Sequence, residues 1–162
     1  MSTDHSANTG APTSTGLSAD QVDRLSQRLR AEGLIGQEPL VLSPLTGGQS
    51  NPTFLMTSGS DRYVLRKKPP GPLLPSAHAV DREYRVMKAL HHTAVPVPQM
   101  YLYSEDESIV GTPFYVMAFL QGRVFMDQSL PGMSTTERVQ IYAEMNRVIA
   151  ELHMVKPETV GL

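Results

Sequence analysis

Apolar positions along this chain change their period twice, and each change marks a different kind of element. Between residues 17 and 33 they recur at helical spacing, with Val22, Leu25 and Leu29 on one face. Ser18 and Gln21 stand at capping-box positions, Leu17 and Val22 at staple positions, and Gly33 follows as a stop. This predicts a short amphipathic helix packed outside whatever follows. From Leu40 to Phe119 the signals become strand-like. Leu40–Leu45 and Thr53–Thr57 read as strands, Ser58–Asp61 as a turn, and Tyr63–Arg66 as a third strand. The stretch 67–72 is a loop, because its prolines fix φ and remove ladder donors. A helix is predicted over about Ala79–Leu90, with Val80, Tyr84, Met87 and Leu90 facing inward. A second hairpin follows: a strand at Met100–Tyr103, an acidic tip at Ser104–Ser108, and a strand at Pro113–Phe119. Beyond Gly122 a linker containing Gly132 leads to a second capping box, Ser134 with Glu137. That box opens a long helix to about Met154, striped by Tyr142, Met145, Ile149 and Leu152 and ended by Pro157.

Composition narrows the class without naming it. The 162 residues are 40% hydrophobic and 19% charged, ordinary for a globular domain. A formal net charge of -2 gives no bulk attraction to nucleic acid or to anionic lipid, so neither is expected as a partner. No apolar run approaches the roughly 18 residues of a spanning helix, so no membrane is expected either. The absence of cysteine excludes a disulfide framework, a thiolate metal site and a cysteine nucleophile, and fits a cytoplasmic protein. Residues 1–16 carry hardly an apolar side chain and read as a disordered tail. They have neither the apolar core of a secretory signal nor the arginines of a mitochondrial presequence. The expected organisation is a tail over 1–16, a lobe with its leading helix over 17–122, and a linker with a helix over 123–162.

Three local features carry candidate chemistry. Gly47-Gly48-Gln49-Ser50-Asn51 lies between two strands, where small residues let backbone N–H groups approach a phosphate. The structural alternative is a tight hairpin, since the segment is neither a Walker A loop nor a Gly-x-Gly-x-x-Gly. The strand Tyr63-Val64-Leu65-Arg66 ends in a cation, and alternation puts Val64 and Arg66 on one face, Tyr63 and Leu65 on the other. Such a cation can reach the α- and β-phosphates if an acid on the next helix holds it, and Glu83 is the natural candidate. Lys67 and Lys68 are expected to form a solvated basic edge that guards the sheet. Finally, Phe114–Leu120 is an apolar strand that breaks off at Gln121-Gly122, which suits a hinge offering backbone donors and acceptors to an adenine edge.

In this order the features resemble the small lobe of a protein-kinase-like fold. The stretches are Gly47–Phe54, Tyr63–Pro70, Leu74–Arg85 and Pro113–Gly122, within a resemblance running from about Leu40 to Leu162. They are similar to the phosphotransferase family that contains aminoglycoside and choline kinases. Within it they most resemble the kinase-like domain at the front of certain mammalian acyl-CoA dehydrogenases and its stand-alone bacterial relatives. The resemblance implies an α+β fold: a five-stranded antiparallel sheet with one αC-type helix, preceded by an N-terminal helix and followed by the first helix of a large lobe. It implies ATP as the nucleotide, with Mg2+ expected only in a full-length enzyme. Gly47, Gly48, Gln49, Ser50 and Asn51 would cover the phosphates. Arg66 would stand where most kinases place a lysine, paired with Glu83. Met117 would be the gatekeeper, the Ala118 carbonyl and Leu120 N–H would bind adenine, and Val64 with Leu45 would line its pocket.

The family's catalytic loop, His-x-Asp-x-x-x-x-Asn, and its later metal-binding Asp do not occur in these residues. The expectation is therefore the nucleotide-binding N-terminal part of an ATP-dependent small-molecule phosphotransferase, incomplete for catalysis as given. The acceptor would be a hydroxyl, that of a hydroxyacyl thioester by the nearest resemblance. His153, and the pair His91-His92, read as helix-end residues, and the acidic tip as a solvated turn. The alternative function is a non-catalytic module in which the face of Tyr142, Met145, Ile149 and Leu152 makes a homodimer or receives a partner chain. A chain too unstable to stand alone is a third reading.

Overall fold

The computed structural model describes residues 16–45, 50–72, 74 and 77–162. Helix α1 spans Ala19–Ala31 and opens with the expected capping box. The Ser18 N–H donates to Gln21 Oε1 at 2.9 Å, and Ser18 Oγ accepts from the Gln21 N–H at 3.3 Å. Gly33 takes φ +69 just past the helix end, a conformation that favours glycine.

Five strands follow: β1 (Val41–Pro44), β2 (Thr53–Ser58), β3 (Asp61–Lys67), β4 (Met100–Ser104) and β5 (Phe114–Ala118). Helix α2 (Val80–Leu90) lies between β3 and β4 in sequence. All pairings are antiparallel, and the spatial order is β1-β2-β3-β5-β4. This is the expected α+β lobe of a kinase-like fold, a five-stranded antiparallel sheet carrying helices. Gly59-Ser60 closes the β2–β3 hairpin, with Gly59 at φ +57 as such tight turns require.

Directly opposed residues share a face of a sheet, so the register sorts the side chains into rows. Phe54, Leu65 and Val116 form one row, and with Met56, Leu102 and Phe114 they bury against Leu25 and Leu29 of α1. The other face carries Thr53, Arg66 and Tyr115 in a row and receives α2. One face is thus the hydrophobic core and the other holds the polar groups.

The structure corrects two expectations. β3 is a central strand, not an edge, and Lys67 is buried at 7% exposure. Its place in the alternation beside Leu65 sends it to the core face, where Nζ donates to the Val110 carbonyl at 2.7 Å. Burial lowers its pKa from the ordinary lysine value. The acidic tip is likewise more than a solvated turn. Asp106 caps a one-turn helix, α3 (Glu107–Val110), by accepting from the Ser108 N–H at 2.9 Å. That turn delivers Ile109 and Val110 into the core against α1. Two apolar residues just beyond the acids and Ser108 cannot stay in water cheaply, and one helical turn points them inward.

Helix α4 (Thr135–Met154) starts at the predicted second capping box, where the Glu137 N–H donates to Ser134 Oγ. It buries no side chain, and its apolar stripe of Tyr142, Met145, Ile149 and Leu152 is about half exposed, at 45–52%. Pro157 opens a short 3-10 turn, Pro157–Thr159. The predicted tail lies outside the described residues except for Gly16. Among the described residues no helix is long and apolar enough to cross a membrane.

Candidate functional site

The site is built on the row Thr53–Arg66–Tyr115, contributed by β2, β3 and β5. Glu83 stands over this row from the first turn of α2. Arg66 Nε donates to Glu83 Oε2 at 2.9 Å and Nη2 to Oε1 at 3.5 Å, the paired geometry a guanidinium gives a carboxylate. Both side chains are mostly sheltered, at 23% and 34% exposure, so water screens the pair less than a surface bridge. Arg66 Nη1 donates to Thr53 Oγ1 at 2.9 Å, and Thr53 Oγ1 donates in turn to the Asn51 carbonyl. Tyr115 donates its hydroxyl to Glu83 Oε2 at 2.9 Å. Burial, then the neighbouring Glu83 carboxylate, holds the Tyr115 phenol well above its ordinary pKa, so it remains a donor.

Asn51 is turned inward, onto Glu83. It is 2% exposed, with Nδ2 donating to Glu83 Oε1 at 3.0 Å and Oδ1 at 2.9 Å from His78 Nδ1. Glu83 therefore accepts from Arg66, Tyr115 and Asn51 at once. An open groove of about 490 Å³ runs beside this network, lined by Ser50, Asn51, His78, Arg82 and Glu83 among others. Gly47, Gly48 and Gln49 lie outside the described residues.

Of the remaining predicted residues, Val64 and Met117 lie one row along the same face. Val64 pairs with Met117 across β3 and β5; Val64 is buried and Met117 half-buried. Ala118 ends β5 and donates its N–H to the Gln99 carbonyl, while Leu120 beyond it is 65% exposed. Leu45, expected in the pocket wall, is an exposed residue at the end of the first hairpin strand. His91 and His92 stack edge to face and are exposed, as is His153. Among the described residues no three His, Cys, Asp or Glu side chains gather as a metal site.

Sequence reasoning found the Arg66–Glu83 pair but missed Thr53, His78 and Tyr115. Tyr115 was within reach of the same alternation argument, since it lies two residues from Met117 on the same face. His78 had no such signal, because its partner is 27 residues away, on the far side of β2 and β3 in the sequence.

Residues 41–162 match the phosphotransferase enzyme family known as APH. Acyl-CoA dehydrogenase family member 11 of Rattus norvegicus is 48% identical over 138 residues, covering 85% of this chain and 18% of that protein. Acyl-CoA dehydrogenase family member 10 of Mus musculus is 45% identical over 143 residues, covering 86% and 13%. The chain thus spans less than a fifth of the length of these curated relatives. A crystal structure of a Ralstonia eutropha JMP134 protein, assigned as an aminoglycoside phosphotransferase, superposes with a TM-score of 0.71 at 46% identity. That match covers 86% of this chain and 40% of the other. A half-buried arginine on a central strand, an acid on the following helix and a family match over three-quarters of the residues agree, and this chain belongs to the phosphotransferase enzyme family.

Proposed function

We propose that these residues form the nucleotide-anchoring part of an ATP-dependent phosphotransferase that acts on a hydroxyl acceptor. The observation that carries this reading is the Arg66–Glu83 pair, held at 2.9 Å on a central strand and an αC-type helix. A guanidinium has five N–H donors. Two serve Glu83 and one serves Thr53, so two have no partner among the described residues. Those two suit an anionic phosphate oxygen, and the carboxylate fixes the fork so that little rotamer freedom is lost on binding. Ser50 and the glycines before it are placed in sequence to supply backbone N–H groups to the same anion. Val64, Met117 and the strand end at Ala118 offer an apolar seat and backbone groups suited to a purine.

The described residues do not gather ligands for Mg2+, and the His-x-Asp-x-x-x-x-Asn pattern is absent from the sequence. In this reading both the metal site and the general base come from outside these residues, in keeping with relatives several times longer. The family's metal would neutralise charge on the transferring phosphoryl group. The names of those relatives, which are acyl-CoA dehydrogenase family members, favour a hydroxyacyl thioester as acceptor over an antibiotic.

Calorimetry with ATP and Mg2+ tests the proposal. The expected outcome is measurable, weak binding that Arg66→Ala weakens by at least tenfold, since a charged donor pair is worth about 1.5–3 kcal/mol. The same material should not phosphorylate any alcohol. No binding by the parent chain, or turnover by pure chain, would overturn the reading. A second reading is favoured by one observation, the half-exposed stripe on α4. It makes that face a dimer or partner surface, and a stable dimer that ignores ATP would select it.

A further inference from the structure

We propose that His78 is a positioning residue: through the buried amide of Asn51 it orients the Glu83 carboxylate, and with it the Arg66 fork. The inference deepens the nucleotide-anchoring reading, on which its functional half rests. The proton positions follow from chemistry. A carboxylate only accepts, so the Asn51 atom 3.0 Å from Glu83 Oε1 is the amide nitrogen. The amide oxygen then faces His78, and an oxygen 2.9 Å from Nδ1 requires a proton on Nδ1. In the neutral ring Nε2 is consequently bare.

Each link is costly to break. Asn51 is 2% exposed, so losing either partner leaves a buried amide group without its hydrogen bond. Glu83 accepts through both oxygens, Oε1 from Asn51 and Arg66, Oε2 from Arg66 and Tyr115. With Asn51 gone, Oε1 would keep only the 3.5 Å contact to Arg66 Nη2, and the carboxylate could turn about its Oε2 bonds. His78 holds its end at φ +57, a left-handed conformation uncommon outside glycine. It does not cap α2, whose N-cap is Ala79 with no side-chain bond. The residue that turns the chain into α2 therefore spends its side chain on Asn51, two residues before β2 and next to Ser50.

Two substitutions separate backbone from relay. His78→Gly keeps the left-handed turn and removes the donor. His78→Asn tolerates that conformation and returns an N–H close to the Nδ1 position. In the free protein, long-range proton–nitrogen spectra should show His78 as the Nδ1–H tautomer. Solvent exchange of the Arg66 Nε–H should accelerate roughly tenfold in His78→Gly and return to within about threefold of the parent in His78→Asn. The Kd for ATP with Mg2+ should rise and recover in parallel; the melting point should fall in His78→Gly, where Asn51 Oδ1 loses its partner, and return toward the parent's in His78→Asn. A bare Nδ1, or an Arg66 exchange rate indifferent to residue 78, overturns the relay. ATP binding that needs Arg66 but ignores residue 78 also rejects the relay, while leaving the nucleotide reading intact. Arg66 exchange that follows residue 78 in a chain that never binds ATP upholds the relay and rejects the nucleotide reading.

Discussion

Tyr115 shows at the residue scale how one hydroxyl ties stability to the site. It is buried, donates to Glu83 and has its pKa raised above the ordinary 10.0. Below pH 10.0 the phenol is neutral in both folded and unfolded chains, and its contribution is complete. Above pH 10.0 the unfolded chain loses the proton first, so stability falls as pH rises toward the folded value. Tyr63 is shifted the same way, and Tyr103, pushed up to about 12 by burial and then Glu105, adds to the decline. Lys67 runs oppositely, since a lowered folded pKa raises stability as pH climbs toward 10.5, but it is common to parent and variant. Tyr115→Phe should therefore cost about 1.5–3 kcal/mol at neutral pH, the worth of a hydrogen bond to a charged group. The gap to the parent should close as pH passes 10.0, which urea titrations at stepped pH would record; a gap constant with pH would mean the phenol is not shifted.

At the scale of elements, α1 and α4 share a sequence signature but not a role. Both open on capping boxes, and both carry apolar stripes. Leu25 of α1 is fully buried against the sheet, whereas Ile149 of α4 is half exposed. Leu25→Ala should lose about 2–5 kcal/mol in denaturant melts, while Ile149→Ala should stay within about 0.5 kcal/mol of the parent. Equal losses would mean that α4 is packed in solution. The capping boxes and the β2–β3 turn were legible because each depends on residues within four positions of one another. The Arg66–Glu83 pair was legible because alternation and helix spacing each fix one partner. Helix α3 was not, since one turn is too short to show a period, and acids dominate its surroundings. The burial of Lys67 was hidden for a related reason. Its charge suggested solvent, while its position beside Leu65 in a central strand decided the outcome.

At the scale of the whole molecule, protection should be uneven. β3 and β5 lie inside the sheet and hold core rows, while α4 buries nothing among the described residues. Amide hydrogen exchange should find the slowest amides in β3 and β5 and clearly faster ones along α4; uniform protection would argue for a single cooperative unit. The strand order was not readable from sequence, because which hairpin edge meets β3 depends on contacts some fifty residues apart, as between Leu65 and Val116. Once β5 takes that place, neighbouring cations on β3 serve opposite surfaces: Arg66 joins Glu83, and Lys67 reaches Val110. This has a consequence for how such genes can change. A codon gained or lost at the Gly59-Ser60 tip alters only a loop. The same event inside Asp61–Lys67 inverts every side chain beyond it, carrying a guanidinium into hydrocarbon and an aliphatic residue to the carboxylate. A change of count inside β3 is therefore far costlier than one at the tip, because it moves Arg66 and Lys67 off their partners together.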